Sequence, residues 1–217
     1  EWMKKDDYGF CNKLEGAASQ VFNRRGLKAF ERIVRAEHDA EIDARRNQPD
    51  GASHRPPYTS AILKTIYQAQ RNLEAYMKLC DDSGLNPADC NTIAEIHQNR
   101  RRPAEALEWI ERGLDLESRE PWSRMPSFGF AIQRRKLLQR LGREKEALES
   151  AWADFAAAPS IFAYDELFKY VGKTEREEWH AKAIEAAAKG RPSEFIAICT
   201  RTKEWGRLAS FTSTSSD

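Results

Sequence analysis

From one end of this 217-residue chain to the other, apolar residues recur at spacings of three and four, in stretches separated by short breaks. That spacing places them on one face of an α-helix, and a helix with one apolar face must bury it against another element. Composition agrees: alanine occurs 29 times and valine only 3 times. Alanine is the strongest helix former, whereas β-branched residues are what strands favour. The spacing predicts helices over 6–23, with Phe10, Leu14, Ala17 and Val21 on one face and Gly26 as the stop. A second helix over 27–46 turns Phe30, Ile33, Val34 and Ile42 inward, and a single amphipathic helix over 58–81 carries Ile62, Ile66, Ala69, Leu73, Tyr76 and Cys80 on its stripe. Gly84 closes that helix, and Asn86-Pro87 opens the next as a cap followed by Pro at the first helical position.

From there the helices shorten and pair: 88–99 with 104–116, 128–141 with 144–157, 161–170 with 175–189, and 194–202 with 205–211. Thr174 with Glu177 reads as a capping box, and Ser193 as an N-cap after Pro192. The domain plan is an N-terminal helical pair over 1–46, a loop over 47–57, a region of helical hairpins over 58–211, and a flexible tail over 212–217, which holds no apolar residue beyond 211.

Lys and Arg total 35 against 34 Asp and Glu, a net charge of +1, so no whole-molecule field draws this chain to nucleic acid or anionic lipid. No apolar run approaches the roughly 18 residues a membrane span needs, and no charged segment followed by an apolar core opens the chain. Cys11, Cys80, Cys90 and Cys199 form no Cys-x-x-Cys pair and have no His at zinc-site spacing. Cys11 and Cys80 fall on apolar helical stripes and read as small buried hydrophobes in a reducing cytoplasm, and no metal and no cofactor is expected. The 11 glycines sit singly, outside any phosphate-cradling context, and no Gly-x-Ser-x-Gly occurs.

Glu-Ala-Leu-Glu recurs at 105–108 and 146–149, a period of 41 residues. Around the first copy, Ile93, Ala94, His97, Ala106, Ile110 and Gly113 resemble the tetratricopeptide pattern, as do Leu138, Gly142, Ala147 and Pro159 around the second. Arg134 and Arg135 depart from it, standing where that family has apolar and small residues. Asp7-Tyr8-Gly9, Gly26-Leu27-Lys28-Ala29-Phe30 and the two Glu-Ala-Leu-Glu segments together resemble a bacterial family of uncharacterised helical-repeat proteins. The stretch from Ala147 to Trp205 is also similar to the repeat region of SWIM-type proteins, whose zinc segment has no counterpart here. These resemblances imply an all-α fold, a right-handed solenoid of antiparallel helix hairpins, acting as a non-enzymatic scaffold for a protein or peptide partner bound on its concave face.

The tetratricopeptide groove positions map to Asn91, Glu95, Gln98 and Asn99 in one copy and to Lys136, Gln139 and Arg140 in the other. Those last three favour a partner with an acidic group. Trp122, in a proline-flanked loop, adds a candidate anchor. A second reading takes the basic stretch 100–143, with Arg100, Arg101, Arg102, Arg134 and Arg135, as a nucleic-acid surface; solvated helix ends account for such runs more often. A third reading, a metal-dependent enzyme, rests on His38 with Glu37, Asp39 and Glu41 beside it, against the commoner role of a hydrogen-bonded core histidine.

Overall fold

The computed structural model describes residues 14–46, 57–119 and 128–214, and 85% of these are helical, with no strand among them. The helices are α1 (Leu14–Val21), α2 (Arg24–Arg46), α3 (Tyr58–Gln70), α4 (Leu73–Ser83), α5 (Pro87–Asn99), α6 (Pro103–Arg119), α7 (Phe128–Arg140), α8 (Glu144–Ala157), α9 (Ile161–Leu167), α10 (Arg176–Ala188), α11 (Pro192–Thr202) and α12 (Trp205–Thr214). No described helix is long and apolar enough to cross a membrane. The chain divides into two compact units, 1–102 and 103–217, so α5 closes the first and α6 opens the second.

Inside each unit, helices pack on their neighbours in the chain and also on the next but one: α1 on α3, α8 on α10, α9 on α11. The core of the first unit gathers Val34, Ile62, Leu63, Ile66, Tyr67, Leu79, Cys90 and Ile93. That of the second gathers Ile110, Leu138, Ala147, Phe155, Leu167, Ile184 and Ile198. Between α8 and α10, the Lys182 ammonium lies 4.2 Å from the ring centroids of both Trp152 and Trp179, a cation held against two indole faces.

Four helix ends share one device. At the ends of α3, α5, α7 and α11 a residue takes the left-handed conformation: Arg71 (φ 55), Arg101 (φ 59), Gly142 (φ 71) and Lys203 (φ 64). The following N–H reaches back to the carbonyl five residues earlier, as Asn72 to Tyr67, Arg102 to His97, Arg143 to Leu138 and Glu204 to Cys199, at 2.9–3.0 Å. This closure satisfies carbonyls that the last turn leaves without an intrahelical partner. Arg101 and Gly142 stand 41 residues apart, the same spacing as the two Glu-Ala-Leu-Glu segments, so the sequence repeat is a repeat of backbone geometry.

Several expected boundaries move, each for a local reason. The single helix expected over 58–81 is two, α3 and α4, because Arg71 turns left-handed and the Asn72 side chain accepts the Ala75 N–H at 3.3 Å, capping a new start. Gly26 does not stop a helix; it lies in the first turn of α2, and its N–H donates to Asn23 Oδ1 at 2.9 Å, so Asn23 caps α2. Ile33 points outward at 59% exposure, and Val21 is also exposed. The Thr174 capping box does not form, since a 3-10 turn over Lys173–Glu175 precedes α10. Pro192, rather than following Ser193's role as cap, is itself the first residue of α11, where a missing N–H is harmless. Asn86 caps α5 with Pro87 after it, as expected, and Asp89 completes a capping box that the sequence reading did not include.

Because an L-residue in the left-handed region carries a cost that glycine avoids, Arg101→Gly should stabilise the fold by about 1 kcal/mol and Gly142→Ala destabilise it by about the same. Urea midpoints of the two variants, shifting in opposite directions, check this.

Candidate functional site

The first unit holds a cavity of about 730 Å³ whose lining mixes apolar residues, Pro57, Tyr58, Ala61 and Ala88, with polar ones, Glu41 and Arg45 from α2, Ser60 and Lys64 from α3, Tyr76 from α4 and Asp89 and Thr92 from α5. Asp89, itself 3% exposed, organises one wall. Lys64 Nζ donates to its Oδ2 at 2.7 Å, Tyr76 Oη donates to its Oδ1 at 3.0 Å, and the Asn86 N–H donates to Oδ2 at 3.2 Å, so the capping carboxylate of α5 also pins α3 and α4. Burial, with the Asp89 charge beside it, pushes the Tyr76 hydroxyl pKa up and keeps it a donor. On the other wall, Arg45 donates to Glu41 at 2.7 Å and Thr59 to Glu41 at 3.2 Å.

His38 stands behind Ser60. Its Nε2 lies 3.1 Å from Ser60 Oγ and its Nδ1 3.4 Å from Asp39 Oδ1, and the imidazole is 4% exposed. A carboxylate at Nδ1 favours the tautomer with its proton there, which leaves Nε2 to accept the Ser60 O–H. Among the described residues no group of three or more His, Cys, Asp or Glu is placed to hold a metal ion. Cys80, Cys90 and Cys199 are buried, and burial first, then Asp89, pushes the Cys80 thiol up to about 12.

The residues expected to bind a partner are distributed between the two units. In α5, Asn91 Nδ2 donates to Glu95 Oε1 at 2.9 Å; Gln98 is half-buried, and Glu95 and Asn99 are exposed. Glu95 and Asn99 share a cleft of about 530 Å³ with Gln68, Arg71, Thr92 and Arg100. In α7, Lys136, Gln139 and Arg140 are all exposed. Trp122 and Cys11 fall outside the described residues.

The basic residues are less available than their number suggests. Arg100 donates to the Arg71 carbonyl at 3.0 Å, Arg101 occupies the left-handed turn, and Arg102 is exposed. Arg134 pairs with Glu111 at 2.9 Å. Arg135 is 2% exposed: its Nη1 is 2.6 Å from Asp154 Oδ2, its Nε 3.8 Å from Glu166 Oε1, and its guanidinium 5.8 Å from the Tyr170 ring centroid. Arg135 is thus a buried hub joining α7, α8 and α9, beside a cavity of about 270 Å³ walled by Ile132, Ala151, Phe162 and Ala163.

His180 has partners that sequence spacing did not reveal. Tyr164 Oη lies 2.8 Å from its Nδ1, and Glu204 Oε1 lies 3.0 Å from its Nε2. Burial first, then Asp165, pushes the Tyr164 hydroxyl up to about 12, so it donates to Nδ1 and the imidazole donates onward to Glu204. Partners 16 and 24 residues away leave no trace in a local pattern.

Compared with known proteins, the chain matches no described protein family and no curated relative. The described residues form an all-α structure compatible with the helical-repeat class.

Burial raises the Glu166 pKa, but hydrogen bonds from Lys169 and Tyr170 with the charges of Lys169 and Arg135 outweigh it and hold the carboxyl below its ordinary range. A depressed native pKa adds stability that is present above the unfolded value of about 4.3 and is lost as pH falls through the native one. Glu166→Gln should remove that part of the acid sensitivity, read from Tm between pH 5 and 3. Arg135→Ala, which opens a void at the junction of α7, α8 and α9 while Glu166 keeps Lys169 and Tyr170, should cost about 2 kcal/mol at neutral pH.

Proposed function

We propose that this chain is a helical-repeat scaffold of tetratricopeptide type, a solenoid of antiparallel hairpins that binds a protein or peptide segment. The observation that carries this reading is the shared left-handed closure of α3, α5, α7 and α11, each followed within four residues by the start of another helix. Packing of α1 on α3, α8 on α10 and α9 on α11 supports it, because stacked hairpins bring alternate helices together. Burial of Ile93, Ala94, His97, Ala106, Ile110 and Ala147 agrees with the positions the repeat pattern assigns to its packing residues.

The partner segment carries at least one acidic group. Lys136 and Arg140 are four apart on α7, both exposed, and so share a helix face from which they grip one carboxylate-bearing stretch. Nucleic-acid binding is the weaker reading, since Arg134 is paired with Glu111 and Arg135 is buried against Asp154.

Reversing Lys136 and Arg140 to Glu should weaken capture of the native partner at least tenfold, about 1.4 kcal/mol, with folding intact. Reversing Arg100, Arg101 and Arg102 should leave it unchanged. Co-purification on tagged protein, followed by titration of the captured partner, makes the comparison. Capture that survives the first change but is lost with the second, and that falls steeply with salt, would replace the peptide reading with nucleic acid.

A further inference from the structure

We propose that the cavity of the first unit is an ester-hydrolysing site in which Ser60 is the nucleophile, His38 its general base and Asp39 a positioning residue. This stands apart from the scaffold reading: it concerns different residues and a different measurement. Ser60 lies on α3, 22 residues from His38 on α2, and the packing of these two helices brings its Oγ to 3.1 Å from Nε2. The ring's other nitrogen faces the Asp39 carboxylate at 3.4 Å. Nucleophile, base and orienting carboxylate are therefore connected through the two imidazole nitrogens in the order that activated-serine chemistry uses.

Ser60 also belongs to the lining of the cavity, whereas His38 and Asp39 lie outside it. Ser60 is 3% exposed as a residue, yet it lines a space of about 730 Å³, ample for a small acyl group beside the hydroxyl. Two acidic and two basic side chains line the same space, and each is held by its opposite, Arg45 by Glu41 and Lys64 by Asp89. A charge-balanced lining gives an uncharged ester no rival of either sign. Ser60 also sits in the first turn of α3, where Pro57 supplies no side-chain cap.

The chemistry closes without a cofactor. Ser60 Oγ attacks the carbonyl carbon while its proton passes to His38 Nε2. The tetrahedral adduct collapses, the bond to the leaving oxygen breaks, and Nε2 returns the proton to that oxygen as the alcohol departs. Water then attacks the acyl-serine, giving its proton to Nε2; the acid leaves, and Ser60 regains its proton.

Two probes test this on the full chain: diisopropyl fluorophosphate, whose phosphorus Ser60 would take with loss of fluoride, and p-nitrophenyl acetate. The expected result is a stoichiometric phosphoryl adduct that peptide mass mapping places on Ser60, with nitrophenol release that stops once the adduct has formed. Ser60→Ala should abolish both. His38→Gln should slow adduct formation by roughly 10²-fold or more. Asp39→Asn should slow it without changing Tm, since Asp39 is 61% exposed at its side chain and acts only through the imidazole. Folded wild-type protein that gains no adduct, an adduct on another residue with Ser60 unmodified, or equal rates in wild type and His38→Gln would each overturn the proposal. Because the adduct is mapped on wild type, the outcome is decided even if a His38 variant fails to fold.

Discussion

Everything in this chain hangs on how its helices stop. An α-helix leaves four carbonyls without intrahelical partners at its C-terminal end, and a protein built from twelve described helices meets that problem repeatedly. Here α3, α5, α7 and α11 solve it in one way, with a left-handed residue and a backbone bond spanning five residues. The closure fixes where the chain leaves the helix, and the next helix starts within four residues. Short connections of this kind are what permit small side chains such as Ala147 to be fully buried.

The all-α class and the Asn86 cap are legible in sequence because each depends on residues within one or two turns of one another, and the 41-residue repeat because its two copies share a four-residue segment. Failures share a cause as well. The break at Arg71 is invisible to a search for glycine, since an arginine adopts the glycine-like conformation, and the adjacent Asn72 was absorbed into the polar face of an apparently continuous stripe. Gly26 misled in the opposite sense: next to Asn23 it is the third residue of a capped start. The cavity could not be read at all. His38 drew notice for its acidic neighbours, but its partner Ser60 becomes adjacent only when α2 packs on α3.

Charge follows the same logic of tertiary placement. Arg134 and Arg135 are consecutive in sequence, yet one pairs at the surface with Glu111 while the other is buried among Asp154, Glu166 and Tyr170. Burying a guanidinium is tolerable only where carboxylates and hydrogen bonds meet it. The Arg135 guanidinium joins α7 to α8 through Asp154 and to α9 through Glu166.

The left-handed positions carry a consequence for proteolysis. Three of the four are occupied by Arg71, Arg101 and Lys203, all exposed, and trypsin cleaves after these residue types. A protease needs several residues in extended form, which a closed helix end does not offer, so cutting there requires the junction to open first. Each junction thus carries its own built-in reporter of local opening, and the order in which tryptic fragments emerge ranks the junctions by how readily each comes undone.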